Sequence, residues 1–318
     1  MKTIRIIVCG FGNVGRAFVQ LIEGKQEDLK NRYGIIPAIQ AVVDIGGAAV
    51  ADTAGLPLDR LREFADNGQA IETMSSFGRP GVSGVDILQS IPADVLVEAT
   101  PTNLVDGEPA RAHLNAAVEK GMDVITANKG PVVLFYKDLQ ERMQASGGRL
   151  FMSAATAAAL PTLDVGKLCT AGAQIRAIEG ILNGTTNYIL TRMGREGCDY
   201  ATALKAAQDL GIAETDPTLD VEGLDTRNKI ILIANQLFDQ CLGISDVDCA
   251  GITNVSREAI ERAQADGQVI KLIGSARWVD KRLCVKVAPE ALEENHPLAG
   301  VHLSEKGISF DTDTMGRI

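Results

Sequence analysis

Three glycines close to the N-terminus constrain the fold of this chain more than any other feature. They form the pattern G-x-G-x-x-G in the segment Gly10-Phe11-Gly12-Asn13-Val14-Gly15. A β-branched run (4–8) precedes the pattern, and an amphipathic stretch (14–29) follows it. In a strand–turn–helix unit such glycines allow a tight turn, close approach of a pyrophosphate to the backbone, and packing of helix on strand. All six residues are therefore predicted to contact a dinucleotide.

The alternation of short apolar runs with helical patterns continues through the first half of the chain. Further strands are predicted at 39–43, 94–98, 123–126 and 149–152, and helices at 109–120 and 134–145. Such alternation is typical of βαβ units with a parallel sheet, whereas the pattern is lost after Pro161. We therefore predict an α/β fold with a Rossmann-type dinucleotide-binding domain over 1–155. An α+β catalytic and dimerisation domain is predicted over 156–318.

Composition excludes several classes of protein. With 31 Lys and Arg against 41 Asp and Glu, the net charge is −10, which argues against a nucleic-acid binder. No apolar run approaches the roughly 20 residues of a membrane helix, and no signal peptide is recognisable, so we expect no membrane partner. The six cysteines form no CxxC pair. This predicts reduced thiols, a cytoplasmic location and no metal site among them.

An aspartate bears on the choice of cofactor. Asp44 closes the second predicted strand, where a carboxylate can accept hydrogen bonds from an adenosine ribose. It lies 29 residues after Gly15 instead of the usual ~20, which predicts a longer helix and loop over 23–37. No Arg or Lys follows within 45–47 to hold a 2′-phosphate. The sequence therefore favours NAD over NADP, and a solvated turn aspartate is the less favoured alternative for Asp44.

Two more strand ends carry polar residues. Thr100 and Pro101 follow the third predicted strand, and Asn128 and Lys129 follow the fourth. Because ligands of open parallel sheets bind beyond the carboxyl ends of the strands, all four are predicted cofactor contacts. Lys129 could also hold a substrate carboxylate, with an ordinary surface lysine as the alternative.

The densest polar segment covers 211–229 and holds five carboxylates ahead of a lysine. Asp225 and Lys229 are four residues apart, so both project from one face of a predicted helix. A half-buried lysine beside an aspartate can move a proton. A surface salt bridge at the start of a helix fits the same spacing, and spacing alone does not separate the two. Glu214, earlier in the segment, could bind a substrate ammonium group.

Together these motifs resemble the homoserine dehydrogenase family. Residues 207–229 match the family signature A-x3-G-hydrophobic-small-x2-D-P-x2-D-V-x-G-x-D-x3-K at every fixed position. Shorter matches cover 126–129, 180–190, 271–274 and 296–299, so the resemblance spans nearly the whole chain.

The resemblance implies reversible, NAD(P)-dependent interconversion of L-homoserine and L-aspartate 4-semialdehyde by a homodimer. Lys229 would be the general acid and base, and Asp225 would orient the hydroxyl or its water. The implied substrate-binding residues are Glu214, Asp220, Lys129 and Thr185, with Lys129 between nicotinamide and substrate.

The chain departs from the family in three ways. Ser153 replaces a glutamate associated with a monovalent cation, so we predict no metal there, and three alanines (157–159) replace glycines, which restricts the backbone. No regulatory domain follows, so threonine feedback through one is not expected. Relatives usually continue through a Gly-rich turn into a last helix that returns to the nucleotide domain. Two alternatives stay open for this sequence: a lineage that is short at this end, or a sequence that is incomplete there.

Two rival hypotheses stay open at this point. An aldehyde dehydrogenase could use Cys169 as the nucleophile of a thioester intermediate, and thiol alkylation would then abolish turnover. A non-catalytic NAD(P)H sensor would bind cofactor without oxidising it in the presence of a substrate. A sensor does not require the acidic segment with its lysine.

Overall fold

The computed structural model describes residues 1–51 and 54–318, which form two compact units, Met1–Ala155 and Thr156–Ile318. Within the described ranges, no helix is both long and apolar enough to cross a bilayer.

The first unit is built on a seven-stranded sheet. Its strands are β1 (Lys2–Cys9), β2 (Ile35–Asp44), β3 (Gly47–Val50), β4 (Gly78–Pro80), β5 (Val95–Glu98), β6 (Asp123–Thr126) and β7 (Leu150–Phe151). They lie in the order β4-β3-β2-β1-β5-β6-β7. Strands β2, β1, β5, β6 and β7 are parallel, and β3 and β4 extend one edge in antiparallel fashion. The chain order reverses at β1 and β5, which is where open parallel sheets bind ligands.

Helices flank this sheet. They are α1 (Asn13–Gly24), α2 (Gln26–Tyr33), α3 (Leu58–Asp66), α4 (Gly84–Ser90), α5 (Ala110–Glu119), α6 (Lys129–Leu134), α7 (Tyr136–Ser146) and α8 (Ser153–Ala157), the last of which runs on into the second unit. Ile7, Val8 and Cys9 of β1 are fully buried, as expected for a central strand covered on both faces. Val19 of α1 and Leu61 of α3 belong to the core on one face.

The predicted parallel sheet is confirmed, but several elements differ from the sequence prediction. The helix expected over 14–29 is divided at Lys25 into α1 and α2, next to Gly24, a residue that weakens helices. The helix expected over 134–145 begins at Tyr136, after the separate α6. Strands β3 and β4 and helices α3 and α4 were not predicted.

The second unit pairs a five-stranded sheet with helices. The strands are β8 (Ile175–Ile181), β9 (Asp248–Cys249), β10 (Gln268–Val279), β11 (Arg282–Glu293) and β12 (Gly307–Thr312), in the order β12-β8-β10-β11-β9. All neighbours are antiparallel except β9 and β11. The helices are α9 (Thr162–Asp164), α10 (Gly184–Glu196), α11 (Tyr200–Asp209), α12 (Thr218–Val221), α13 (Leu224–Leu237) and α14 (Arg257–Ala265). This is the α+β arrangement that the sequence predicted.

Helix α13 is largely buried within the second unit. Residues 230–233 (Ile-Ile-Leu-Ile) are all 0% exposed, and the helix contacts β8, β10 and β11. A helix that is apolar around its whole circumference must be covered on all sides. The same packing buries Lys229 one position earlier, and only 8% of that residue is exposed.

Candidate active site

The glycine-rich turn between β1 and α1 has the geometry that its sequence predicted. Gly10 is left-handed (φ 97°), and a Cβ there would lie 2.5 Å from the carbonyl carbon of Ala99. A Cβ on Gly15 would lie 1.9 Å from the carbonyl oxygen of Gly10, so this glycine lets α1 pack on β1. Among the residues that the structure describes, and apart from Gly12 and its two chain neighbours, no atom lies within 4 Å of a Cβ built on Gly12. The middle glycine thus borders open space, into which a pyrophosphate fits.

The start of α1 offers the donors for that anion. Gly12 is the N-cap, no side chain caps the helix, and residues 12–14 are exposed, so the first backbone N–H groups face outward. Phe11 is 0% exposed as a whole residue, so it belongs to the core of the unit and offers no surface to a ligand, unlike the exposed residues 12–14 that follow it. Arg16 lies over the Phe11 ring, and its Nε donates to the Phe11 carbonyl oxygen at 2.6 Å. Arg16 therefore supports the turn from behind.

A second carboxylate lies near Asp44, and sequence reasoning missed it. Asp44 ends β2, is half-buried and pairs with Gly47 of β3. A Cβ on Gly46 would meet the Glu72 carboxylate oxygen at 2.0 Å, so the Glu72 side chain lies against the 44–47 turn. Two carboxylates at one turn repel a phosphate, which favours NAD. Glu72 sits on a three-residue turn, Ile71–Thr73, for which the sequence shows no periodic signal.

Asn128 joins the loops that follow β5 and β6. Its Nδ2 donates to the carbonyl oxygens of Thr100 and Pro101, both at 3.0 Å, and to Thr100 Oγ1 at 3.1 Å. Its Oδ1 accepts from Gly130 N at 2.9 Å and caps α6. Asn128 is only 1% exposed. Lys129, the first residue of α6, is half-buried, and its backbone N donates to Thr102 Oγ1 at 3.4 Å.

In the second unit, Asp225 and Lys229 form a shielded ion pair. Lys229 Nζ lies 2.5 Å from Asp225 Oδ2 and donates to the carbonyl oxygen of Leu182 at 2.8 Å. The Lys229 side chain is 11% exposed and the Asp225 side chain is 15% exposed. The alternative of a solvated surface pair does not fit this burial, whereas a lysine that is held against a carboxylate and shielded from solvent does fit proton transfer.

Asn183 connects this pair to a third carboxylate. Its Nδ2 donates to Asp220 Oδ1 at 2.6 Å and to Asp225 Oδ2 at 2.9 Å. Its Oδ1 accepts from Thr186 N at 2.9 Å and caps α10. The end of β8 and helices α12 and α13 thus bring Asn183, Asp220, Asp225 and Lys229 together. The Asn-Gly-Thr segment was the available signal for Asn183, but its amide partners are distant in sequence.

The remaining predicted substrate residues lie around the 211–217 turn. Thr185 is buried, and its Oγ1 donates to the carbonyl oxygen of Ile212 at 3.1 Å, so it anchors the turn. Glu214 is exposed on the turn, and its backbone oxygen accepts from Gln208 Nε2 at 3.2 Å. Hydrogen bonds from the backbone N and the hydroxyl of Thr218 lower the pKa of Asp216, which lies just before the short α12.

Three further positions bear on the departures from the family pattern and on the aldehyde dehydrogenase hypothesis. Ser153 is the first residue of α8, and Ala158, just after this helix, is left-handed (φ 56°) where the family pattern has a glycine. Cys169 is exposed at the end of the π-helical turn Val165–Cys169.

Comparison with known proteins identifies the family. A family model described as "Homoserine dehydrogenase, NAD binding domain" matches residues 10–153, and one described as "Homoserine dehydrogenase" matches residues 161–318. The chain belongs to the homoserine dehydrogenase family. The resemblance to this family that the sequence motifs indicated is thereby confirmed for both parts of the chain.

Individual homoserine dehydrogenases agree with this assignment. The enzyme of Methanocaldococcus jannaschii is 42% identical over 272 residues, which cover 86% of this chain and 80% of the relative. The NAD(+)-dependent homoserine dehydrogenase of Pseudomonas canavaninivorans is 35% identical over 319 residues, covering 100% of this chain and 90% of the relative. A homoserine dehydrogenase structure from Thiobacillus denitrificans superposes with a TM-score of 0.85 at 27% identity, covering 100% of this chain and 68% of the other. The family membership outweighs the two rival hypotheses.

Proposed function

We propose that this homoserine dehydrogenase interconverts L-homoserine and L-aspartate 4-semialdehyde with NAD, and that Lys229 moves the proton. The observation that carries the proposal is the shielded Lys229–Asp225 pair, held by Asn183 on the segment that matches the family signature. A polar cluster of this kind in a buried helix is costly unless it is paired, and it suits proton transfer more than stability.

The division of labour follows the two domains, 1–155 and 156–318. Bound NAD supplies a hydride acceptor for the carbon that carries the hydroxyl group. The backbone over 12–14 would hold the pyrophosphate at the start of α1, and Asp44 would accept hydrogen bonds from the ribose. Thr100 and Pro101 would line the neighbouring strand end. The open space at Gly12 and the outward N–H groups fit this cofactor.

Lys229 has the hydrogen-bonding capacity that the proton transfer needs. An ammonium group carries three N–H donors, and Asp225 and the Leu182 carbonyl oxygen take two of them. On reduction the third N–H of the ammonium group would point at the substrate oxygen and give it the proton, whereas on oxidation the neutral amine would present a lone pair there and accept the hydroxyl proton. Asp225 fixes the position of Nζ, and Asn183 in turn fixes Asp225.

The rest of the substrate site follows from charge. Carboxylates of Glu214 and Asp220 would bind the substrate ammonium group, and Lys129 would bind its carboxylate. Thr185 would act by holding the turn that carries Glu214.

A homodimer formed through residues 156–318 and a cytoplasmic location remain predictions.

The decisive variant is Lys229→Ala. We expect kcat for homoserine-dependent NAD reduction to fall by at least about 100-fold, because general acid–base catalysis typically contributes that much. NADH affinity, measured by fluorescence, should stay near the wild-type value, because Lys229 acts on the substrate oxygen. Aspartate 4-semialdehyde with NADH measures the reverse direction.

The matched control is Lys205→Ala. Lys205 is exposed on α11 and pairs with Asp209, also four residues away. This variant should keep wild-type activity. Full activity in Lys229→Ala would remove the catalytic assignment, and cofactor binding without any homoserine-dependent turnover in the wild type would remove the proposed function itself.

A further inference from the structure

A buried polar trio lies beside the cofactor edge of the sheet and is not used by the mechanism above. Cys9 ends β1, Glu98 ends β5, and His113 projects from α5. Their ligating atoms all lie within 4.8 Å of one another, and the residues are 0%, 0% and 6% exposed. A fully buried glutamate is costly, so its position needs a reason.

The trio has the elements of a metal site, but its acceptors are already occupied. Glu98 Oε1 accepts from the Thr100 backbone N at 2.7 Å and also from Thr100 Oγ1. Glu98 Oε2 lies 2.8 Å from His113 Nδ1, which must donate because a carboxylate can only accept. Burial and the charge of Glu98 raise the pKa of the Cys9 thiol, so Cys9 keeps its proton. Protein donors therefore satisfy Glu98 in place of a cation.

The contacts of Glu98 lead directly to the predicted cofactor loop. Thr100, whose N–H and hydroxyl point inward to Glu98, accepts from Asn128 Nδ2 through its carbonyl oxygen and hydroxyl. Asn128 in turn accepts from Gly130 N. A chain of hydrogen bonds thus runs from His113 on α5 through the ends of β5 and β6 to the start of α6. Buried networks of this kind fix one arrangement when every member is paired.

The loop that this network fixes is packed against the glycine-rich turn. Cys9 and Glu98 are register partners, and Ala99 N donates to the Cys9 carbonyl oxygen at 2.7 Å. Gly10 approaches Ala99 so closely that a Cβ on it would overlap the Ala99 backbone. If residues 99–101 shifted slightly, they would therefore enter the space beside the glycine-rich turn, at the point where the strand order reverses.

We propose that Glu98 and His113 are positioning residues for the dinucleotide, acting through Thr100 and Asn128 and without touching the ligand. The proposal rests on the proposed function only for the identity of the cofactor. His113 orients the Glu98 carboxylate, and the carboxylate holds the N–H and hydroxyl of Thr100 inward. The loop that borders the dinucleotide is thereby fixed before the ligand arrives, which reduces the ordering cost of binding.

The test compares His113→Leu with His113→Asn. Asparagine retains an N–H near the place of Nδ1, whereas leucine leaves Glu98 Oε2 without its donor. We expect His113→Leu to raise both the KM for NAD and the dissociation constant for NADH by about tenfold, because a lost bond to a buried charge costs roughly that factor. The KM for homoserine should change less than about twofold. His113→Asn should recover most of the cofactor affinity.

A second histidine–glutamate pair provides the control for lost stability. His296 Nε2 lies 3.2 Å from Glu179 Oε2 in the second unit, and His296→Leu should leave both KM values unchanged. If His113→Leu does not fold, Glu98→Gln, which keeps the shape of the side chain, decides with the same measurements. A lowered melting temperature with an unchanged NADH dissociation constant would reduce the network to a purely structural role. NADH binding by fluorescence needs no turnover, so it reports on this proposal even if the wild type fails to oxidise homoserine.

Discussion

At the scale of single residues, spacing pointed to the pair that we propose for proton transfer but not to its surroundings. The four-residue separation of Asp225 and Lys229 was compatible with a buried and with an exposed pair. The burial follows from the apolar residues 230–233, which can be read from the sequence. Asn183 could not be found in the same way, because its amide meets carboxylates 37 and 42 residues away. Such contacts depend on how strand β8 meets helices α12 and α13.

The choice of cofactor is also decided by single residues. Asp44 and Glu72 place two carboxylates at the turn where the adenosine ribose of a dinucleotide is expected. We expect Asp44→Ala to lower kcat/KM with NAD by about tenfold, the worth of lost bonds from ribose hydroxyls to a charged acceptor. With NADP the value should change little or rise, because a 2′-phosphate would lose a repulsive neighbour.

Initial rates with saturating homoserine and varied NAD or NADP measure this preference. Glu72→Gln is the companion variant, because it removes charge while keeping the shape of the side chain. It should improve NADP use without a matching loss of NAD use. Equal losses with both cofactors in Asp44→Ala would show that Asp44 does not select between them.

At the scale of elements, the periodicity of apolar residues and the positions of glycine and proline predicted the central strands and the longer helices. The elements that escaped prediction are short and lack periodicity. Strands β3 and β4 have four and three residues and form only because β3 pairs with the edge of β2 and β4 pairs with β3. Helix α6 has six residues, and the bond from Gly130 N to Asn128 Oδ1 caps it. In such segments tertiary contacts outweigh local propensity.

The turn between β1 and α1 permits a test that separates folding from binding. Gly12 has an ordinary φ of −78°, and a Cβ there would touch nothing. Gly12→Ala should therefore change the free energy of unfolding by less than about 1 kcal/mol. The new methyl group would occupy the space left for the pyrophosphate, so we expect NADH affinity to fall by at least about tenfold.

Gly24→Ala is the matched control at the other end of α1. A Cβ at Gly24 would also lie in open space, and alanine is the better helix former. This variant should be as stable as the wild type or slightly more stable, with unchanged NADH affinity. Equilibrium unfolding in urea and NADH fluorescence titration measure both quantities. Wild-type NADH affinity in Gly12→Ala would place the pyrophosphate elsewhere.

At the scale of the whole molecule, the alternation of strands and helices predicted a parallel sheet and its loss predicted a second architecture. The strand order of the second sheet was beyond this reasoning. Strand β8 pairs with both β10 and β12, and these partners lie roughly 100 or more residues further along the chain. Antiparallel pairings over such distances leave no trace in local periodicity, so their register is visible only in the folded chain.

The second unit also contains a buried cation outside the proposed active site, which affects stability. Lys271 of β10 is 2% exposed, and its Nζ donates to the Val301 carbonyl oxygen at 2.5 Å and to Asn187 Oδ1 at 3.0 Å. Burial, together with the charge of Arg195, lowers its pKa from the ordinary 10.5 to about 8, although Glu305 opposes the shift. The folded protein therefore releases this proton at a lower pH than the unfolded chain does.

The expected consequence is a contribution of Lys271 to the free energy of unfolding that rises with pH between about 8 and 10.5, whereas the raised pKa of the Cys9 thiol acts in the opposite direction in the wild type and in Lys271 variants alike. Below pH 8 both states hold the proton, and the cost of burying the charge is present in full. Between the two pKa values the unfolded state binds more protons, so linkage makes stability increase, by at most about 1.4 kcal/mol per pH unit for one group.

Urea unfolding measures this slope when it is followed through Trp278, which is the single tryptophan and a residue of β10 itself. Lys271→Met should lack the rise, whereas Lys205→Met, which changes an exposed lysine, should keep it. His302 lies nearby, but its lowered pKa leaves it neutral over this range. If wild type and Lys271→Met showed equal slopes, the proton would not leave Lys271 in the folded state, and its three hydrogen-bond acceptors would hold it as an ammonium group throughout.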